Sequence, residues 1–205
     1  CNMIVAHLGN GASICAIKKG LSVDTYMGMT PLAGIPMGTR CGDIDPSIID
    51  NLCKATTQSL DQVMQMLTRE SGLKGLSGIS HDMRELIKAR DQGNQQASLA
   101  LAIFAYRIAM TMASYMVPLQ HIDAIVFTGG IGENNPSLRM EVIQYLSFLG
   151  LTINEKSNAS PTEHHGKISA SKSPITAWVI PTQEEQHIAS LTHQILKEPA
   201  SCDPS

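Results

Sequence analysis

Short apolar runs separated by glycine-containing connections open the chain. The runs are MIVAHL at residues 3–8, SICAIKK at 13–19 and LSVDT at 21–25. The connections carry glycine, asparagine and lysine, and glycine and asparagine tolerate the positive φ angles of tight turns. This pattern predicts an antiparallel meander of three strands at the N-terminal end.

Helical patterns dominate after a long loop at residues 26–44. Capping residues and prolines indicate where helices start, and glycines indicate where they end. The predicted helices start near residues 46, 59, 80, 94, 136 and 182, with Gly72 ending the second and Gly93 the third. A polar surface loop is predicted at 154–173 and a last strand at 175–181. The chain is therefore α/β, with one domain at 1–198 and a flexible tail at 199–205.

Composition excludes several classes of protein. A length of 205 residues and a hydrophobic fraction of 43% allow a sizeable core. A net charge of −3 argues against a nucleic-acid partner. The five cysteines have no C-x-x-C spacing, which favours free thiols in a reducing cytoplasm over disulfides or a zinc site. The first residues lack the basic start of a signal peptide, so none is expected. The sequence also has no initiator methionine and begins directly with a strand, so we expect that an upstream segment has been removed.

Residues 98–119 are long and apolar enough to cross a bilayer. Arg107 lies near the middle of this stretch, where a charge is costly, and many of its apolar residues are alanine and methionine, which drive insertion weakly. We therefore expect a helix in the domain core or at a subunit interface, and no membrane partner.

Another apolar run, at residues 122–128, stops at two glycines, and a third glycine follows one residue later. Residues without a Cβ atom let a ligand approach the backbone, and the start of the next helix favours anions. The segment FTGGIGEN therefore suits a nucleotide or phosphate, although tight strand–helix packing alone explains it equally well. A Rossmann fingerprint is excluded because Asn135 replaces its last glycine, and a Walker A loop lacks its Gly-Lys-Ser/Thr.

The first strand connection is a second candidate site. The tip Gly9-Asn10-Gly11 presents backbone N–H groups and a side-chain amide, and such a concavity can hold a phosphate. An ordinary β-hairpin with a structural His7 is the alternative.

Arg40 is the third candidate, in a loop with Asp43 and Asp45 nearby. A guanidinium can neutralise the charge that develops on a transferred phosphoryl group, or it can simply pair with those carboxylates. Two acidic residues, Glu184 and Glu185, follow the last strand. One of them could bind Mg²⁺, which needs few protein carboxylates, or both could complement a helix dipole.

In order along the chain, these segments resemble the acetate kinase family, which includes the propionate kinases. The matching segments are HLGNGAS, SVDT, MGMTPL, MGTR, GDIDP, ESGLKGLSG, FTGGIGEN and PT followed by EE, and they run from residue 7 to residue 185. The resemblance implies an RNase H-like fold of the actin-like, sugar-kinase and Hsp70 superfamily, with a mixed sheet flanked by helices. It also implies a cytoplasmic homodimer that uses Mg²⁺ and transfers the γ-phosphoryl group of ATP to acetate or propionate.

The resemblance also implies the roles of individual residues. Arg40 matches a transition-state-stabilising arginine, and Glu184 matches a magnesium-binding glutamate. The nucleotide-binding residues implied are His7, Leu8, Gly9, Asn10, Gly11, Asp82, Met83, Arg84, Gly130, Ile131, Gly132, Glu133 and Asn134.

The chain departs from the family in two respects. Tyr26, Ala33, Pro36 and Cys41 stand where the family usually has other residues, and they are expected to crowd the loop that holds Arg40. The chain also resembles only the C-terminal half of a family member, without the N-terminal half that holds the acyl substrate. We therefore expect the isolated chain to be inactive.

Two other functions fit the sequence less well. The chain could be a non-catalytic dimerisation or structural remnant, with the helix at 94–118 as its interface. A dinucleotide-binding domain is the third possibility, and the missing third glycine disfavours it.

Overall fold

The computed structural model describes residues 1–197, so the predicted tail at 199–205 lies outside the described residues. Its centre is a five-stranded sheet with the order β3-β2-β1-β4-β5. The strands are β1 Asn2–Leu8, β2 Ala12–Lys18, β3 Leu21–Thr25, β4 Ala124–Thr128 and β5 Thr176–Val179. The first three strands pair antiparallel, which confirms the predicted meander, while β1, β4 and β5 are mutually parallel. The sheet is therefore mixed.

Helices cover most of the remaining chain. They are α1 Ser47–Thr56, α2 Leu60–Arg69, α3 Gly72–Ser77, α4 Met83–Asp91, α5 Gln95–Ser114, α6 Met116–Leu119, α7 Gly129–Asn134, α8 Pro136–Tyr145, α9 Glu155–Ala159 and α10 Glu184–Lys197. Local capping explains several starts. Ser59 and Gln62 form the predicted capping box, and the side chain of Asn94 accepts from the Ala97 N–H at the start of α5.

Three predicted boundaries are wrong. Gly72 begins α3 instead of ending α2, which stops at Arg69. The glycine segment after β4 is itself the helix α7, so a helix starts at Gly129 and not only at Pro136. The stretch at 154–173 contains α9, and two of its polar side chains, Ser157 and Asn158, are buried. Asn158 is buried because its side chain accepts a hydrogen bond from the buried guanidinium of Arg139.

Helix α5 packs in the core through one face, formed by Ala97, Ala100, Leu101, Phe104, Ala105, Ile108, Ala109, Thr111 and Met112. This burial confirms that the most apolar helix contributes to the core. The continuous helical stretch Gln95–Leu119 is also long and apolar enough to span a membrane by length and composition, with half of its most apolar window buried.

The parallel strands position the candidate site. Strands β1, β4 and β5 lie side by side and point the same way, so they end at one edge of the sheet. The hairpin tip follows β1, α7 follows β4, and α10 comes after β5. In α/β sheets, ligands bind beyond the carboxyl ends of the strands, at this edge.

Candidate functional site

A cavity of about 650 Å³ lies at this edge. It is lined by Gly9, Asn10, His81, Asp82, Met83, Arg84, Ile87, Gly130, Ile131, Asn134 and Asn135. The hairpin tip, the start of α4 and the helix α7 therefore meet around one space. Eight of these residues are among those predicted to bind a nucleotide, although they lie far apart in the sequence.

Three residues of the cavity wall escaped the sequence prediction. His81 directly precedes Asp82, and Ile87 lies one helical turn beyond Met83, so helical spacing could have identified Ile87. Asn135 is buried, and its side chain accepts from the Leu138 N–H at the start of α8. The sequence could indicate that Asn135 caps α8, but it carried no signal that this residue also lines the cavity.

Other predicted residues support the cavity from behind. Leu8 is fully buried in the core, His7 lies half-buried in β1, and Gly132 packs against Leu8 and Phe127. Gly11 lies beside Arg40, so close that a Cβ atom on Gly11 would lie 3.6 Å from the Arg40 Nη1.

Backbone hydrogen bonds hold the hairpin tip. The Gly9 N–H donates to the Gly11 carbonyl at 3.0 Å, and the Gly38 N–H donates to the Asn10 carbonyl at 3.0 Å. Gly38 approaches the tip so closely that an added Cβ atom would collide with the Asn10 side chain. The loop that carries Arg40 is therefore packed directly on the glycine-rich tip.

Helix α3 holds the other side of the Arg40 loop. The N–H groups of Ser71, Leu73 and Lys74 donate to the carbonyls of Thr39, Met37 and Gly38 at 2.8–2.9 Å. These donors sit at the start of a helix, where N–H groups lack intrahelical partners. Gly72 packs closely on this loop: it has φ +61°, and an added Cβ atom would collide with the Met37 carbonyl, so the first position of α3 requires glycine.

The Arg40 guanidinium donates to the Pro31 carbonyl at 3.3 Å. The nearby carboxylates have other partners: Asp43 lies 3.5 Å from Arg107, and Asp45 accepts from the Ser47 N–H. Within residues 1–197, no carboxylate lies within ion-pair distance of Arg40, so its charge is not neutralised there.

Residues that depart from the family pattern pack along the Arg40 loop. The ring of Tyr26 lies against Gly34, and burial raises the pKa of its phenol, as does the Asp43 carboxylate. Pro36 and Cys41 line a second cavity, of about 560 Å³, and burial raises the pKa of the Cys41 thiol. Arg40 is not among the residues that line this second cavity.

The start of α4 forms a charged part of the wall. The Asp82 carboxylate accepts from the Arg84 N–H at 2.8 Å, which caps the helix, and from the Arg84 Nη2 at 2.6 Å. These hydrogen bonds lower the pKa of Asp82 to about 2. Because the Arg84 side chain is 89% exposed, its guanidinium is accessible to a bound anion or an aromatic base.

The three glycines after β4 have different roles. Gly129 has φ +78°, and a Cβ atom there would lie 2.7 Å from the Leu8 carbonyl oxygen, so this position requires glycine for packing. A Cβ atom on Gly130 would meet nothing within 4 Å. Only Gly130 both lines the cavity and leaves open space, so the packing explanation holds for Gly129 and the ligand explanation suits Gly130.

The Glu133 side chain turns back toward its own helix. Its Oε1 accepts from the Gly129 N–H at 2.9 Å and from the Thr182 N–H at 3.0 Å. Glu133 therefore ties the start of α7 to the segment that leads into α10. Glu184 is exposed in the first turn of α10 and lies outside the main cavity wall. Its carboxylate and that of Glu185 can both complement the helix dipole.

A magnesium ion would find few protein ligands at this edge. Within the part of the chain that the structure describes, no three histidine, cysteine or acidic side chains cluster as a metal site. Mg²⁺ usually takes one or two carboxylates and completes its shell with water and phosphate oxygens. A single exposed carboxylate such as Glu184 fits an ion that is held mainly by a nucleotide.

Comparison with known proteins identifies the family. The Acetokinase family matches residues 1–190. An acetate kinase of Lachnoclostridium phytofermentans is 49% identical over 89% of this chain and 46% of its own length. A propionate kinase of Salmonella typhimurium is 49% identical over 91% of this chain and 47% of its own length.

The crystal structure of Porphyromonas gingivalis acetate kinase superposes with a TM-score of 0.86 and 40% identity over 96% of this chain and 49% of that one. The chain thus spans about half the length of the relatives that it matches. The α/β fold with a mixed sheet flanked by helices is the RNase H-like fold expected from the resemblance. The chain belongs to the acetokinase family.

Proposed function

We propose that this chain supplies the nucleotide-binding half of an acetate or propionate kinase, which transfers the γ-phosphoryl group of ATP to a short-chain carboxylate. The observation that carries this proposal is the cavity where the hairpin tip, α4 and α7 converge at the ends of parallel strands. ATP and ADP are the nucleotides, and the products are an acyl phosphate and ADP.

The cavity wall offers distinct groups to each part of a nucleotide. Because the N–H groups of Gly9 and Gly129 have partners within the chain, the N–H groups suited to phosphate oxygens are those that follow them at the hairpin tip and in the first turn of α7. The apolar side chains of Ile87 and Ile131 and the exposed Arg84 suit an adenine ring. The predicted nucleotide-binding residues outside this wall would act by supporting these groups.

Arg40 would act on the reacting phosphorus. In the reaction, a carboxylate oxygen of the acyl substrate attacks the γ-phosphorus while the bond to the ADP oxygen breaks, and negative charge spreads over the transferred group. A guanidinium stabilises this charge. Arg40 suits the role because it lies beside the hairpin tip and no carboxylate within the described residues pairs with it. Glu184 would hold Mg²⁺, which neutralises phosphate charge.

Helix α10 is the proposed contact surface for the half of the relatives that this chain does not match. This helix has no buried residue, and Ile188, Leu191 and Ile195 form an exposed apolar face at helical spacing. The matched relatives are about twice as long as this chain, and we propose that their unmatched half covers this face. We propose that residues 1–198 form a domain that is incomplete without that half, which also binds the acyl group.

Calorimetric titration with Mg–ATP tests the nucleotide proposal. We expect saturable binding, and a loss of affinity of about tenfold in Asn10→Ala, because a hydrogen bond to a charged group is lost. Asn51→Ala, on the exposed face of α1, is the matched control and should leave the affinity unchanged. A folded chain that gives no heat of binding would contradict the proposal.

An acyl phosphate assay tests the division into halves. The isolated chain should form negligible product from Mg–ATP and acetate or propionate, because positioning in the cleft supplies most of the catalysis. Adding the unmatched half of a curated relative should restore turnover, and Ile188→Ser should weaken this rescue. Leu60→Ser, at an exposed position of α2, serves as the control. Near-normal turnover by the isolated chain would refute the division.

A non-catalytic dimerisation module is the second candidate. Helix α5 exposes Leu99, Tyr106 and Met110 at helical spacing, and Tyr145 of α8 extends this apolar face by an edge-to-face contact with Tyr106 at 5.4 Å between ring centroids. We propose a homodimer through this face, compatible with either function. Sedimentation should show a dimer that Met110→Glu dissociates, and a dimer without nucleotide binding would favour the structural remnant.

We also infer a cytoplasmic location. The cysteines in the described residues, Cys1, Cys15, Cys41 and Cys53, are all free thiols, which suits a reducing compartment. Thiol titration of the freshly purified chain under denaturing conditions checks this state.

A further inference from the structure

Arg139 is the largest side chain among the fully buried residues, with 1% of its surface exposed. It lies in α8, outside the cavity wall. Its Nη1 donates to the carbonyls of Gly132 at 2.7 Å and Glu133 at 2.9 Å. Its Nε donates to the Asn158 Oδ1 at 2.8 Å, and its Nη2 donates to the Asn158 carbonyl at 2.5 Å. The buried guanidinium thus donates these hydrogen bonds to α7 and to a single residue of α9, Asn158.

The buried charge has no acidic partner within residues 1–197. Burial lowers the pKa of Arg139 to about 10, so the group stays protonated at neutral pH. Burying a charge in this way is costly unless it is fully hydrogen-bonded. The carbonyls that accept from Arg139 compensate part of this cost, and two of them belong to the last residues of α7.

Helix α7 needs such support because it has only six residues. Isolated helices of this length are unstable, and the last carbonyls of any helix lack intrahelical donors. The Asn134 side chain donates to the Gly130 carbonyl at 2.9 Å, and Arg139 serves the carbonyls of Gly132 and Glu133. Asn158 adds a further hydrogen bond, because its Nδ2 donates to the Pro136 carbonyl at 2.8 Å, just after α7. We call these hydrogen bonds of Arg139 and Asn158 the clamp on α7.

We propose that Arg139, oriented by Asn158, is a positioning residue that holds α7 so that Gly130 and Ile131 face a bound nucleotide. This inference rests on the proposed nucleotide-binding function. Arg139 does not touch the nucleotide itself. It fixes the C-terminal turn of α7, whose last residue, Asn134, lines the cavity together with Gly130 and Ile131 of the first turn. It also joins that helix to α9, a segment that follows 21 residues further along the chain.

The test compares three variants of the full 205-residue chain with a control. Arg139→Lys keeps the positive charge, but one ammonium group cannot reach the carbonyls of α7 and Asn158 together. Arg139→Met removes the charge and keeps much of the volume, and Asn158→Ala removes the orienting acceptor. Arg69→Met, at the exposed end of α2, is the control.

Two readouts are measured on each variant well below its melting temperature. Hydrogen exchange of the backbone amides in α7 should accelerate much more than that of β1 in all three variants. The dissociation constant of Mg–ATP should rise by about tenfold or more in both Arg139 variants and by less in Asn158→Ala, because misplaced binding groups lose much of their contribution. Arg69→Met should change neither readout.

A merely structural role predicts a different result. If Arg139 only stabilised the fold, exchange in α7 and β1 would accelerate together, and the affinity of the folded fraction for Mg–ATP would stay unchanged; that outcome would overturn the proposal. Should Arg139→Met fail to fold, Asn158→Ala and Arg139→Lys decide in the same way. Hydrogen exchange needs no nucleotide, so selective exchange in α7 without any Mg–ATP binding by the wild type would refute the nucleotide function and leave the clamp on α7 established.

Discussion

At the hairpin tip, backbone groups hold the cavity wall: the Gly9 N–H donates to Gly11, and the Asn10 carbonyl accepts from Gly38. At α7, side chains perform this task. Glu133 accepts the first N–H of the helix, and Arg139 donates to its last carbonyls. A wall held by backbone depends on the close approach of main-chain segments, as where Gly38 reaches Asn10. A wall held by side chains depends on particular functional groups, so single substitutions at Glu133 or Arg139 can loosen it selectively.

The largest expected effect comes from Gly129→Ala. The φ of +78° and the 2.7 Å approach of a Cβ atom to the Leu8 carbonyl oxygen both oppose any side chain there. We expect a loss of about 2–4 kcal/mol in the free energy of unfolding, measured by urea denaturation. Gly130→Ala is the matched control, because its Cβ atom would meet nothing within 4 Å. Equal losses in both variants would show that the two glycines do not differ as described.

Glu133→Ala should have the next largest effect. The N–H groups of Gly129 and Thr182 both lose their acceptor, which costs about 1–2 kcal/mol in the free energy of unfolding. Glu163→Ala, at an exposed position in the same region, is the control and should stay within about 0.5 kcal/mol of the wild type. A Glu133→Ala variant as stable as this control would mean that the carboxylate does not tie α7 to the start of α10.

Gly38→Ala tests the wall held by backbone. The new Cβ atom collides with the flexible end of the Asn10 side chain, which can rotate away, so the stability loss should be only about 1 kcal/mol. Affinity for Mg–ATP should fall in parallel, since Asn10 lines the cavity. Calorimetric titration and urea denaturation of the same sample measure both. An unchanged affinity for Mg–ATP would show that the contact between the Arg40 loop and the hairpin tip does not support nucleotide binding.

The smallest effect is the pH dependence of the Asp82–Arg84 pair. Hydrogen bonds from Arg84 lower the pKa of Asp82 from 3.8 to about 2. A lowered pKa means that the ionised carboxylate stabilises the folded state above pH 3.8 and that this contribution is lost as the pH falls toward 2. Asp82→Asn keeps a helix cap but loses the ion pair. The difference in melting temperature between wild type and variant should be small at neutral pH and should shrink below pH 4. A constant difference would contradict the shifted pKa.

Local sequence signals predicted much of the fold. The strand runs and their turn residues specify the meander, and the caps Ser59 and Asn94 specify helix starts within one turn. Helix α9 and the burial of Asn158 were missed within the predicted loop at 154–173, because Asn158 is polar and its burial depends on Arg139, nineteen residues away. The same dependence hid Arg139 itself, because a lone arginine on a helix looks solvated until its acceptors are known.

The candidate site was likewise predicted only in part from the sequence. Glycine-rich motifs predicted the hairpin tip and α7, but motifs cannot tell which glycine packs and which faces a ligand. That distinction needs the position of the Leu8 carbonyl relative to Gly129. Ile87 lines the cavity because helical geometry places it on the same face of α4 as Met83. Whether Glu184 lies in that wall depends on where β5 ends and α10 begins, which the sequence does not specify closely enough.

Titration of the isotope-labelled chain with Mg–ATP, followed by backbone amide NMR, shows directly whether a nucleotide enters the cavity. We expect the largest chemical shift changes at Gly9–Gly11, at His81–Arg84 and at Gly130 and Ile131, which surround this one cavity. Shift changes confined to other surfaces, such as the second cavity around Cys41 and Arg107, or no changes at saturating nucleotide, would contradict this expectation.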